Sequence, residues 1–396
     1  MTPVFANRIG SLKASAIREI LKSTADPNVI SFAAGNPAPE AFPTEAIAKI
    51  SNEILTKHPI SALQYSITEG YTPLRDRMKA YLKENMNIGR EFDDLIIVSG
   101  AQQGIEHSCK VLCNEGDTVI CENPSFVGAL NAFKSYGVNL VGVEMDEDGI
   151  NIEHLEAALK QNPNTKMMYL IPNFQNPSGI TMSLAKRKAV YALAKQYGVL
   201  IFEDNPYGEL RFEGEDVPAI KSLDEDGIVI YGGSFSKVLS PGFRVGHVTA
   251  PKEIIQKIVV AKQTCDVHTN IWSQIICDEF MKQYDFSQHI QGLQKIYKHK
   301  AQLMLDGIKQ EFSPQVAHTV PQGGLFLWCT LPEGSDMMAF CRKAVEQNVA
   351  VVPGTAFLPD EETYSTTSFR MNYSTPTDEE IVEGVKRLGA LTRSMF

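Results

Sequence analysis

Short β-branched runs alternate with helical patterns through the first two thirds of the chain. LIIVSG at 95–100 leads into QQGIEHSCKVL, DTVICENP at 117–124 into SFVGALNAFKSYG, and KMMYLIPN at 166–173 precedes LAKRKAVYALAKQYG; GVLIFED at 198–204 and GIVIYGG at 227–233 follow. Strand-then-helix alternation of this kind predicts a largely parallel α/β sheet. From about residue 253 the texture changes to a long helical stretch. Beyond it GGLFLWCTLP, AVVPGTAF and SFRMNYS, separated by helical patterns, read as a smaller α+β lobe, with a helical segment at 11–23 expected to pack nearby. Turn residues concentrate at the ends of the strands.

A chain of 396 residues, 43% hydrophobic, exceeds one ordinary core, so a large domain plus a smaller one is expected, with a cleft between them. A formal charge of −10, with no basic block, argues against nucleic acid or an anionic membrane surface as partner and in favour of small molecules. The seven cysteines (109, 113, 121, 265, 277, 329 and 341) form no CxxC pair or Cys/His spacing that suggests zinc, and read as reduced core thiols. The opening MTPVFANRIG lacks the apolar core of a signal peptide, and no run approaches the roughly 20 apolar residues of a membrane helix. A cytoplasmic protein that neither spans nor coats a membrane is expected.

Ligands of parallel α/β sheets bind beyond the carboxyl ends of the strands, and several candidate groups fall there. Ser99-Gly100-Ala101-Gln102 opens a helix whose free N–H groups and dipole suit a phosphate; alone, it reads equally well as a serine N-cap. Asn176-Pro177-Ser178-Gly179 alone is a tight turn, and Phe126 alone is core. Asp204 ends an apolar strand, which favours a partly buried carboxylate, although Asp-Asn-Pro is also turn chemistry. Lys237, in GGSFSKVLSPGFR, would on its own be a surface-loop lysine. Near a cation such as Arg244, and partly desolvated, its charged form is disfavoured and its amine is available to carbonyls. Arg244, Ser234 and Ser236 suit a phosphate. A lysine that seeks aldehydes, phosphate donors and a buried aspartate together are what pyridoxal phosphate requires.

The stretches LQYSITEGYTPLR, VSGAQQG, ENPSFVGAL, LIPNFQNPSGITM, IFEDNPYGEL, GGSFSKVLSPGFRVG and FRMNYS occur in the order found in fold-type I pyridoxal phosphate aminotransferases. From about residue 8 to the C-terminus the chain resembles that family, most of all the branch containing aminoadipate and kynurenine aminotransferases. The resemblance implies an α/β large domain over 46–295 with a seven-stranded, mainly parallel sheet, a small C-terminal α+β domain over 296–396, and a segment 1–45 that packs with the small domain. It implies that Lys237 binds the cofactor covalently and, once displaced by the substrate amine, moves a proton between the substrate and the cofactor. Asp204 would keep the pyridine nitrogen protonated, Tyr207 and Asn176 would hydrogen-bond the ring's phenolic oxygen, and Phe126 would stack on its face. Gly100, Ala101, Gln102, Ser234, Ser236 and Arg244 would cradle the phosphate, with Tyr65 reaching it from a second subunit of a homodimer.

Arg370 matches the arginine that grips the substrate α-carboxylate, and Gly35 a glycine whose backbone approaches the substrate; alone they read as a strand arginine in a surface ion pair and a turn glycine. Arg18 matches an arginine that meets a distal carboxylate, against the plainer reading of an exposed helical residue. Two departures stand out: Ala101 replaces a frequent hydroxyl residue, and Phe126 replaces a tyrosine common in this branch. The implied reaction moves an amino group from an L-α-amino acid to a 2-oxo acid, 2-oxoglutarate first among the acceptors. A β-lyase or decarboxylase of the same fold is the alternative, and the sensor domain of an aminotransferase-like transcription regulator a more distant one. For the regulator the chain leaves no room before the family pattern for a basic DNA-binding module.

Overall fold

A computed structural model describes residues 3–10, 26 and 28–396. The helix expected over 11–23, and Arg18 with it, lies outside the described residues. The apolar runs become strands: β1 (Ile30–Ser31), β2 (Asp93–Val98), β3 (Thr118–Asn123), β4 (Asn139–Asp146), β5 (Gly149–Ile150), β6 (Thr165–Leu170), β7 (Leu200–Asp204), β8 (Val229–Ser234) and β9 (Gly246–Pro251). The large sheet runs β2-β9-β8-β7-β6-β3-β4-β5. The expected seven strands are there, with the two-residue β5 added as an antiparallel edge beside β4. Pairs β4–β3, β3–β6, β6–β7 and β7–β8 are parallel, and β9 runs antiparallel to both β8 and β2.

Strands buried on both faces need continuous apolar sequence. The last four residues of β2, at one edge of the sheet, and Val119, Ile120 and Cys121 of β3, inside it, are accordingly buried. The pattern reading misses two strands. β4 is mostly part-exposed, and in β9 glycine, histidine and threonine dilute the apolar signal.

A second sheet, antiparallel, joins β10 (Ala317–His318), β11 (Phe326–Thr330), β13 (Val352–Pro353) and β14 (Ser368–Asn372) in the order β10-β11-β14-β13, while β12 (Val349–Ala350) pairs in parallel with β1. Ahead of the second sheet in the chain comes the 26-residue helix Phe286–Glu311, started by the Asp285 carboxylate accepting from Gln288 N–H. The last helix, Asp378–Met395, packs against it and opens with a capping box between Thr377 and Glu380. Residues from both sheets therefore reach one region, above the carboxyl ends of β6, β7 and β8.

Candidate active site

Asp204 is the last residue of β7 and is 2% exposed. Its Oδ2 accepts the Tyr169 hydroxyl at 2.6 Å, whereas Oδ1 is buried with no partner among the described residues. Burial raises its carboxyl pKa to about 7, against the lowering effect of the Tyr169 hydrogen bond.

Lys237 lies in the turn after β8, part-buried, with Nζ donating to the Gly35 carbonyl at 2.6 Å. Burial first, then the cations Arg370 and Arg244, lower its pKa to about 8. At pH 7 roughly a tenth of the amine is thus uncharged, far more than for an ordinary lysine. Arg370, on β14, is 4% exposed. It donates to Asn176 Oδ1 and to the Ala33 carbonyl, both at 2.8 Å, while Nε has no partner. Its guanidinium carbon lies 4.2 Å from the Phe326 ring centre and 4.9 Å from that of Phe357. Burial lowers its pKa to about 10. Asn176 donates in turn to the Tyr207 hydroxyl at 3.4 Å, and Tyr207 meets Phe326 edge-on.

A third cluster forms at the start of the helix Ala101–Leu112, where the first N–H groups have no preceding turn to satisfy them. Gly100 has φ 78°, and a Cβ there would collide with the Arg244 guanidinium. Arg244 is itself left-handed (φ 54°), which costs a residue with a side chain roughly 1–2 kcal/mol, and it donates to the Ser99 carbonyl at 3.3 Å. The Ser234 hydroxyl accepts from Ser236 N–H at 3.1 Å. This turn is braced from beneath: Asp266 accepts from Ser99 Oγ at 2.6 Å, Gln103 Nε2 at 2.9 Å and the buried Lys262 at 2.8 Å.

The structure thus joins Arg370, Asn176 and Tyr207 through hydrogen bonds, sets Gly35 on Lys237, and brings Arg244 to Gly100. Phe126 caps the helix Val127–Ser135, half-buried. The Gln102 side chain is spent on the Gly128 carbonyl at 2.8 Å, which leaves its backbone N–H for a ligand, and Ala101 has only its backbone to offer. Tyr65 stands apart on this chain: it is 83% exposed, with its ring edge-on to His268.

Sequence reasoning passes over Gly246, where a Cβ would sit 2.8 Å from Ala101 N and push β9 away from the helix start. It also misses Tyr169, whose signal was a hydroxyl inside a wholly buried run, where it must find a partner.

The groups fit pyridoxal phosphate. The orphaned, buried Asp204 Oδ1 suits a ring N–H, the Lys237 amine an aldehyde, and the side-chain-free Gly100 beside Arg244 a phosphate.

A fold with this sheet order and a part-buried lysine, an orphaned aspartate and an arginine-lined turn at the strand ends defines the fold-type I class of pyridoxal phosphate enzymes. Residues 27–388 match the family described as aminotransferase class I and II. The chain is 42% identical to aromatic-amino-acid aminotransferase 1 of Thermococcus litoralis over 388 residues (97% of this chain, 93% of that one). It is 39% identical to 2-aminoadipate transaminase of Thermus thermophilus over 395 residues (99% and 97%). Among solved structures, a kynurenine aminotransferase of Pyrococcus horikoshii in complex with PMP superposes with a TM-score of 0.95 at 37% identity (99% and 97%). The chain belongs to the class I and II aminotransferases and is a pyridoxal phosphate-dependent transaminase acting on amino acids.

Proposed function

We propose that this enzyme transfers the amino group of an L-α-amino acid of the aminoadipate, aromatic or aliphatic type to a 2-oxo acid, principally 2-oxoglutarate, by a ping-pong mechanism in a cytoplasmic homodimer. One observation carries the reading: Arg370 is buried, has a free Nε and meets no carboxylate among the described residues. A planar donor fork left in that state awaits an anion, and the α-carboxylate common to amino and oxo acids fills it.

Pyridoxal phosphate supplies an aldehyde for the amine and a ring that takes up the electrons of the broken Cα–H bond. Lys237 would hold the aldehyde. With the substrate amine in its place, its freed Nζ, with a pKa near 8, would take the proton from the substrate Cα and carry it to the far side of the bridging nitrogen. Asp204 Oδ1 would accept from the ring nitrogen and keep it protonated. Asn176 and Tyr207 would hydrogen-bond the ring oxygen, and Phe126 would cover the ring face. The N–H groups of Gly100, Ala101 and Gln102, with Ser234, Ser236 and Arg244, would hold the phosphate. Gly35 lets the backbone approach the substrate; a Cβ there would lie 3.2 Å from Phe326. Arg18 is assigned to a distal carboxylate of acidic substrates.

The homodimer is supported by exposed apolar residues on neighbouring segments: Ile60, Leu63, Tyr65 and Ile67, with Val267 and Trp272. Tyr65 would reach the phosphate of the second copy, so each site needs both chains. The seven free cysteines agree with a reducing compartment, and no helix among the described residues is long and apolar enough to cross a membrane.

The test is the half-reaction: the holoenzyme mixed with each of a panel of L-amino acids, with no oxo acid present. Loss of the visible cofactor band with stoichiometric release of the matching 2-oxo acid is expected. Release of ammonia or carbon dioxide instead would overturn the assignment.

A further inference from the structure

Tyr169 lies on the face of the large sheet directly beneath Asp204. It pairs in register with Phe202 of β7, and Phe202 and Asp204, two residues apart, point to the same face. Phe202 stacks on the Tyr169 ring with centroids 6.0 Å apart, and Phe133 meets it edge-on at 5.4 Å. Held between them, the fully buried ring delivers its hydroxyl to Asp204 Oδ2 at 2.6 Å. One carboxylate oxygen is therefore tethered, and the other, Oδ1, is aimed and empty-handed.

We propose that Tyr169 is a positioning residue of the transamination site: its hydroxyl fixes the Asp204 carboxylate and favours its anionic form, so that Oδ1 meets the protonated ring nitrogen of the cofactor. The inference rests on the role proposed above for Asp204. A carboxyl taken out of water prefers to be neutral, and a neutral Asp204 would not hold a ring proton. The bond from Tyr169 is short and charge-assisted, the kind that opposes this drift most strongly. Other titratable groups facing the pair are Glu122 on β3 and Tyr207 after β7. Burial raises the Glu122 carboxyl to about 8, so at pH 7 it is largely protonated and does not take over the part of Asp204. Tyr207 is likewise pushed up by burial and stays neutral.

The test is a cycle of Tyr169→Phe, Asp204→Asn and the double variant. Each holoenzyme is measured for the dissociation constant of pyridoxal phosphate, by release on dilution, for the pH midpoint of the visible cofactor band, and for kcat and KM. Tyr169→Phe removes one oxygen and keeps both ring contacts. It is expected to weaken cofactor binding about tenfold, the scale of a lost hydrogen bond to a charged group. It should also raise the pH midpoint, because an unassisted Asp204 draws the proton from the ring nitrogen and the ring then withdraws less charge. kcat should fall while the amino-acid KM holds. On the Asp204→Asn background the same change should move neither affinity nor midpoint. Equal shifts in both backgrounds, or a Tyr169→Phe enzyme with wild-type affinity and midpoint, would overturn the proposal. Asp204→Asn alone reports separately on the underlying role: if it leaves both quantities at wild-type values, that role fails first.

Discussion

Two regions of this protein bury cations, and they treat them in opposite ways. Under β2, the Lys221 ammonium is fully enclosed yet lies 2.7 Å from Asp93 and 2.8 Å from Asp224; on the helix Lys252–Gln263, which packs on β2 and β9, Lys262 sits between both oxygens of Asp266 and Gln103. Above β7 and β8, Lys237 and Arg370 have no ion-pair partner among the described residues and make do with backbone carbonyls and Asn176. Removing a charge from water costs several kcal/mol unless it is paired, so the second arrangement is one that selection for stability alone would not keep. Arg187 sharpens the point. It too is buried without a carboxylate, but its nitrogens reach four carbonyls and Asn173 Oδ1 and none is orphaned. What sets this region apart is a buried cation left partly unsatisfied, the Arg370 Nε.

The largest expected effect separates chemistry from structure. Lys237→Ala should reduce transamination by about four orders of magnitude, the upper range for a lost acid–base group, while circular dichroism and melting temperature stay near wild type. Single-turnover transamination within about tenfold of the wild-type rate in that variant would dissolve the contrast. Next comes the paired cation: Lys221→Met should strand Asp93 and Asp224 and lower unfolding free energy by about 3–5 kcal/mol in urea titrations, with the amino-acid KM unchanged. Arg370→Met should do the reverse. It leaves no carboxylate stranded, so stability should hold or rise, while the amino-acid KM climbs about 10–100-fold, the value of a charged hydrogen-bonded contact, and cofactor affinity is retained. If Arg370→Met destabilised as severely as Lys221→Met, Arg370 would belong with the structural cations.

The unpaired set was legible in the chain because its members sit in ordered motifs. SFSK with an arginine seven residues on, EDNPY upstream and FR downstream picked out Lys237, Arg244, Asp204, Tyr207 and Arg370, and the structure draws these segments toward one end of the sheet. What was not legible depends on register across strands. Nothing in KMMYL says that Tyr169 will lie against Phe202 and beneath Asp204, 35 residues later. Nor does GHVTAP announce that Gly246 must lack a side chain to admit Ala101 N, 145 positions away. The sense of a buried lysine is equally invisible: Lys221 and Lys237 each stand next to a serine with an apolar residue on the other side, and only the fold reveals that Asp93 waits beside one of them.

The smallest effect is a linkage that the unpaired lysine alone should show. Its pKa falls from 10.5 in an ordinary setting to about 8 in the fold. Between those values the unfolded chain holds a proton at this site and the native protein does not, so raising pH favours the native state. Cofactor-free protein should therefore gain stability from this group between about pH 8 and 10.5, whereas below pH 8 the penalty of protonating the buried amine is constant and fully felt. Other groups titrate in the same range, so the quantity to measure is the difference in unfolding free energy between wild type and Lys237→Met across those pH values. The variant should be the more stable at pH 7, and its advantage should shrink as the wild-type amine loses the proton it was reluctant to carry. A difference that is flat across the range would mean that Lys237 is satisfied in the fold after all, in the manner of Lys221, and that its reactivity must come from the cofactor rather than from the cavity that surrounds it.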